Sequence, residues 1–319
     1  MKKLTLALAT IGLTTSLSVF ASAPTGAQPF QVMVPDIKSG FDFTLTGLYL
    51  KPTASNNQLF YAETEKNNVD TNYSNEPGDH PAFSLGMGYV FKNSGNDVRL
   101  NWTHLHSSDD SSTTGNIVNP NFSAPLIANS TVKFKYDAVD FDFGQYLSLG
   151  TRMQTRWFAG VRFAQINQDQ TTSYAPKPTD LAPSGSIADN SKFSGIGPRL
   201  GVDGNYYLGK GFGFVTQLAG SLLVGNTESN TTWLTENPST VDNPSQSRVV
   251  PALDGKLGVD YSKAMRNGSH FAIEAGYQIS EYFNAIDRNT TAWSSDGSNT
   301  FTSSNIGFQG PYLSVKYKV

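Results

Sequence analysis

The chain has no cysteine among its 319 residues. Disulfides, thiolate nucleophiles and Cys-ligated zinc are therefore excluded. Histidine is scarce too: His80, His104, His106 and His270 are the four copies. No zinc spacing, phosphate loop or dinucleotide fingerprint is present, so no metal and no cofactor is expected. Only 15% of the residues are charged and the formal net charge is -3, a balance that argues against nucleic acid as a partner. Beyond the N-terminus, no run approaches the roughly 18–20 apolar residues of a transmembrane helix.

What is present begins with an export signal. Met1-Lys2-Lys3 forms a positive start, Leu4 to Phe20 is apolar and uncharged, and Ala21 and Ala23 are small residues suited to cleavage. The expected organisation is a signal peptide over residues 1–21, a periplasmic N-terminal segment over 22–40 and a β-barrel over 41–319. Removing Lys2 and Lys3 takes the charge from -3 to about -5.

The remaining chain has a rhythm. About ten segments alternate apolar and polar residues at every second position, the period of a half-buried strand. Phe83-Ser84-Leu85-Gly86-Met87-Gly88-Tyr89-Val90-Phe91 is one of them. In another, Trp157, Ala159, Val161 and Phe163 form one face while Arg156, Gly160 and Arg162 form the other. The connections alternate in length. Lys92–Asp97, Gly150–Arg152, Gly209–Gly211 and Ser262–Ser269 are short; Pro52–His80, Ser107–Thr131, Asn167–Lys192, Asn226–Ser247 and Asn284–Ser304 are long. A soluble sandwich has no reason to gather its long loops at one end. An outer-membrane barrel does, with short periplasmic turns and long extracellular loops. The expected fold is an all-β, antiparallel, up-and-down transmembrane barrel of about ten strands. An even count lets the first and last strands pair and removes the open edge.

Aromatics support this reading. Phe41, Phe43, Tyr89, Phe91, Trp157, Tyr206, Phe212, Phe214, Tyr261, Phe271 and Tyr317 are outward and close to the short turns, as an interfacial girdle requires. The ending Leu313-Ser314-Val315-Lys316-Tyr317-Lys318-Val319 alternates to its last residue and suits a closing strand delivered to an outer-membrane assembly machinery.

Several stretches resemble the Legionella-type major outer membrane protein family, a group of pore-forming outer-membrane proteins. They are Leu48-Tyr49-Leu50-Lys51-Pro52, Lys135-Tyr136-Asp137-Ala138-Val139-Asp140-Phe141-Asp142-Phe143-Gly144, Ala159-Gly160-Val161-Arg162-Phe163-Ala164, Phe193-Ser194-Gly195-Ile196-Gly197-Pro198-Arg199-Leu200-Gly201 and Gly310-Pro311-Tyr312-Leu313. The resemblance implies outer-membrane location, lipid and lipopolysaccharide as surroundings, and a porin-like role toward small solutes or ions. Disulfide-linked assemblies, associated with the best-known members, are excluded by the missing cysteines. Any homo-oligomer is non-covalent.

By strand parity, Arg99, Asp140, Asp142, Arg156, Arg162, Arg199, Asp203, Asp254, Lys256 and Glu274 face inward and are the candidate pore-lining residues, with Asp260 and Lys316 beside them. Ten strands lie near the narrow end of barrel sizes. Two readings stay open: a narrow hydrated pore with charged walls, or a closed structural or adhesive barrel acting through its loops. The long connections hold fifteen Asp and Glu against four Lys and Arg, a solvated surface that also attracts cations. Catalysis is not expected. His104 and His106 share one strand face near Asp109 and Asp110, but no nucleophile with an orienting partner accompanies them.

Overall fold

The computed structural model describes residues 34, 37–67, 69–119, 122–176, 184–234, 238–266, 268–289 and 301–319. The expected signal peptide, residues 1–21, and most of the 22–40 segment lie outside them. Twelve strands are formed: β1 (Gly40–Ala54), β2 (Phe60–Lys66), β3 (Val69–Ser74), β4 (His80–Val90), β5 (Asn96–Asn119), β6 (Phe122–Leu149), β7 (Met153–Pro176), β8 (Gly185–Gly209), β9 (Phe212–Leu234), β10 (Ser239–Ala264), β11 (His270–Asn289) and β12 (Phe301–Lys318).

Ten of these are the staves of a closed antiparallel ring, in the order β5-β4-β1-β12-β11-β10-β9-β8-β7-β6 and back to β5. The last strand closes on the first through partners such as Phe43 with Tyr317 and Leu45 with Val315. Closure leaves every stave paired on both sides, which hydrocarbon demands of a backbone it cannot hydrate. The tightest turn, between β8 and β9, holds Gly209, Lys210 and Gly211 at φ of 110°, 54° and 90°. Two glycines there supply conformations that other residues resist.

Between β1 and β4 the chain makes a small hairpin, β2–β3. It joins the wall at one register pair, Thr64 with Ile117. The sequence reading placed this stretch inside a long connection. The other long connections are also shorter than expected, because the staves continue through them: β5 and β6 pair up to Asn119 with Phe122.

The continuation has a physical cause. Outside the wall, Trp102, Val139, Phe163, Ile196, Val224 and Val249 are successive register partners and form one apolar row across β5 to β10. The next row up is His104, Asp137, Gln165, Ser194, Asn226 and Ser247. The outer face thus changes from hydrocarbon-compatible to water-compatible within one step of each strand. The inner face changes at the same level and in the opposite sense. On β6, inward Asp142 and Asp140 give way to Ala138, Tyr136, Phe134 and Val132; on β7, inward Arg162 gives way to Ala164 and Ile166. The lower tube is apolar outside and charged inside. The upper tube is polar outside; inside it begins with an apolar layer, above which polar groups such as Gln170, Asp189 and Arg288 are buried.

The girdle residues meet at the lower rim. Phe41 lies 4.8 Å from Tyr89, Tyr89 5.4 Å from Phe91, and Phe212 4.9 Å from Tyr261 between ring centroids. Leu200, flanked by Pro198 and Val202 on the outer face, is 65% exposed. Leu200→Arg should cost roughly 2–4 kcal/mol in refolding titrations on lipid vesicles, the scale for a cation in mid-bilayer. Asn190→Arg, on the same strand above the apolar row, should cost almost nothing; equal costs would refute the assigned belt.

Candidate functional site

The inward residues of the lower tube line one cavity of about 380 Å³. All ten candidate residues line it: Arg99, Asp140, Asp142, Arg156, Arg162, Arg199, Asp203, Asp254, Lys256 and Glu274. Asp260 and Lys316 join them, and Lys38, Tyr207 and Lys318 line its short-turn end.

Most of these charges are paired. Arg162 and Asp140 are register partners, so the side chains meet directly across two strands. Arg162 Nε and Nη2 donate to the two Asp140 oxygens at 2.6 and 2.8 Å, and Nη1 reaches Asp254 at 2.8 Å. Arg199 Nη1 donates to Asp142 at 2.6 Å. Arg156 Nε donates to Asp97 at 2.8 Å, and Nη1 to Asp203 at 3.1 Å. The guanidiniums of Arg156 and Arg199 also lie over the Phe158 ring, 5.0 and 4.8 Å from its centroid. Such planar, forked contacts hold each arginine against the wall. Inward Gly144 makes room for one of them: a Cβ there would overlap Asp97 and Arg156. Across the lumen, Glu274 accepts from Lys256 at 2.7 Å, Lys316 at 2.5 Å and the Tyr312 hydroxyl at 2.8 Å.

Some participants escape a parity reading. Asp97 falls at the end of an expected short turn, yet it is buried and shared by Arg156 and Arg99, the latter at 3.1 Å. Its parity with Arg99, two residues on, was the available signal. Phe158 and Tyr146 are inward aromatics set close along the chain to the outward Trp157 and Phe143; Tyr146 meets Arg99 through a hydrogen bond.

Above the charges, the lumen is filled. Leu48, Leu50, Leu105, Phe134, Tyr136, Ile166, Phe193, Leu223, Val250, Tyr282, Ile306 and Phe308 belong to one buried apolar cluster drawing on nearly every stave. Tyr136 stacks on Phe308 at 4.2 Å, and the Tyr136 and Tyr282 hydroxyls are 2.9 Å apart. Tyr282 also accepts from Arg162 at 3.4 Å, joining this disc to the charges below. The disc closes the tube with side chains of the wall itself.

His270 lines the charged cavity, and the other three histidines are placed elsewhere. His104 sits on the outer wall, its Nδ1 2.8 Å from Asp137, which also accepts from Trp102 Nε1 at 3.0 Å. Asp109 pairs with His80 instead, at 2.8 Å. Among the described residues, no three or more His, Cys, Asp or Glu are grouped to hold a metal.

A closed antiparallel barrel with a lipid-facing belt, an aromatic girdle and a charged lumen defines an outer-membrane β-barrel. A family model described as the Legionella pneumophila major outer membrane protein precursor matches residues 33–319, and the chain belongs to that family. No curated protein matches the chain in sequence. Among solved structures, the outer membrane protease OmpT of Escherichia coli is similar at 10% identity, with 89% of this chain and 99% of that one covered and a TM-score of 0.44. The Pseudomonas putida toluene transporter TodX is similar at 8% identity, covering 89% and 90%, with a TM-score of 0.32. The Ralstonia pickettii toluene transporter TbuX gives 8%, 88% and 90%, with a TM-score of 0.23. These three likenesses are too distant to carry an argument about activity.

Removing one member of the buried network should be costly. Arg162→Ser leaves Asp140 and Asp254 with the longer contacts from Arg199, 3.6 and 3.7 Å away, and Asp254 with the Ser280 hydroxyl at 2.8 Å. Urea titration of the folded barrel should show a loss of about 3–5 kcal/mol. Changing Arg162, Asp140 and Asp254 together to apolar residues should recover much of it; an unaltered midpoint for Arg162→Ser would mean that water already screens these charges.

Proposed function

We propose that this protein is a porin-like channel for small ions or solutes, closed in the state described. The carrying observation is the charged cavity, which reaches the short-turn end of the barrel and stops at the apolar disc. A charged, water-sized cavity in a membrane tube is half of a permeation path. A hydrophobic constriction in series with it gates by excluding water. Inward acidic and basic groups are nearly equal in number, so selectivity between small anions and cations is weak and is set by the three arginines where the path narrows. The barrel surface meets outer-membrane lipid and lipopolysaccharide. Short turns face the periplasm and long loops the exterior.

Bilayer recording tests the reading. The wild-type barrel should show rare, small openings. Phe308→Ser removes a fully buried ring from the disc; a loss of about 3 kcal/mol from the closed state raises the open-to-closed ratio roughly a hundredfold. Arg162→Ser in the same background should shift the reversal potential toward cations. A folded barrel left silent by both replacements would favour the second reading, a closed structural or adhesive barrel. That reading has its own support in the hydrogen-bonded seam of Tyr136, Tyr282 and Arg162. For orientation, a cysteine at Ser184 should react with an impermeant reagent on intact cells and one at Ser94 should not; the reverse pattern would invert the topology.

A further inference from the structure

The segment before β2 is held in an unusual way. Five consecutive main-chain carbonyls, Asn57 to Tyr61, each accept a hydrogen bond from a side chain of the barrel interior. Arg288 Nη1 donates to Asn57 and Gln58, both at 3.0 Å. Gln170 Nε2 donates to Leu59 and Phe60 at 3.3 and 3.2 Å. The Tyr174 hydroxyl donates to Tyr61 at 2.7 Å. Arg288, Gln170 and Tyr174 are 4%, 1% and 3% exposed, so these donors are buried in the upper lumen and aimed at the segment. Asp189 fixes Arg288 at 3.1 Å. Burial pushes the Tyr174 phenol well up from its ordinary value, which keeps it protonated and able to donate.

Two features separate this segment from the wall around it. Its hairpin enters the wall's ladder at one register pair, whereas β5 and β6 share a ladder running from Asn96 with Gln145 to Asn119 with Phe122. Leaving the lumen would therefore break side-chain contacts, among them those of the buried Leu59, Tyr61 and Ala62, but little main-chain pairing beyond Thr64 with Ile117 and Ser55 N with the Asn305 carbonyl. The grip falls on main-chain atoms of a turn: Asn56 and Asn57 have φ of 54°, and Gln58 N and Phe60 N donate to the carbonyls of Ser55 and Asn57. Sequence enters through Leu59, which inserts into the apolar disc, and through Tyr61 and Ala62, which join a second buried cluster.

We propose that the row Arg288–Gln170–Tyr174 is a receptor site for a polypeptide turn presenting consecutive carbonyls, and that the turn leading into the β2–β3 hairpin occupies it in cis as a removable plug of the long-loop end. The proposal rests on the barrel reading and not on conduction, and its test is read without conduction. The natural absence of cysteine makes Ser130→Cys a clean reporter: Ser130 is 1% exposed and lies beneath the hairpin, bonded to Asn75 and Gln170. In the full chain this thiol should resist a water-soluble maleimide. Replacing residues 56–78 by a short Gly-Ser turn should leave a barrel that still shifts on heating in gel electrophoresis, with labelling about tenfold faster or more. A synthetic peptide of residues 56–63 should restore protection, and the same peptide with Leu59→Asp should not. Arg288→Ala with Gln170→Ala, in the full-length chain, should also speed labelling. A deletion barrel that does not fold, or a thiol that stays protected in it, would make the hairpin a permanent part of the core and overturn the plug. Faster labelling that neither peptide reverses would overturn the receptor.

Discussion

Closure of the ladder by β1 and β12 is the constraint on which everything else depends. Hydrocarbon offers no partner to a backbone amide, so the chain must pair its first stave with its last. Partners from Asp42 with Lys318 up to Ala54 with Ile306 accomplish this. With ten staves, closure fixes a narrow tube. Inward side chains from opposite walls then have to meet. The lower lumen resolves that encounter by pairing guanidiniums with carboxylates, and the layer directly above by packing aromatic and aliphatic groups against each other. The charged network and the apolar disc are two answers to one geometric demand.

The same staves pass through two solvents. Next to lipid, burial favours apolar groups outside, and inward charges survive because they are paired and hydrogen-bonded. Above the row from Trp102 to Val249, water wets the outside and the hydrophobic effect acts inward instead. On β6 the pattern inverts without a bulge, because Ala138, Tyr136 and Phe134 follow Asp142 and Asp140 at the same parity. On β11 the register shifts between Tyr282 and Ile286 at this level. The fold therefore carries its own soluble core directly above a membrane-embedded one. That core accommodates a hairpin, which adds apolar contacts from Leu59, Tyr61 and Ala62 to the walls.

The barrel was legible because its belt alternates large apolar residues with small or polar ones. Parity alone assigned Arg156, Arg162 and Arg199 to the lumen. The upper staves were not legible. Along Ser107 to Thr114 of β5 both faces are polar, inward Ser107, Asp109 and Ser111 as well as outward Ser108, Asp110 and Ser112, so no period emerges. Partner choice was also hidden: parity shows that Asp203 is inward but not that one guanidinium spans it and Asp97, which the short turn had claimed. The hairpin was invisible for a deeper reason. It is anchored by its own carbonyls, and main-chain atoms leave no trace in a sequence.

The central claim is that an apolar disc divides the lumen between a wet, charged compartment and the outer mouth. Cysteine scanning along one inward row tests it most directly, since the chain has none of its own. Single cysteines at Asp142, Asp140, Tyr136, Phe134 and Val132 of β6, in refolded barrels reached by a small water-soluble reagent, should divide sharply: reaction at Asp142, protection from Tyr136 through Val132. Uniform reaction along the row would mean a continuous aqueous channel and would contradict the account.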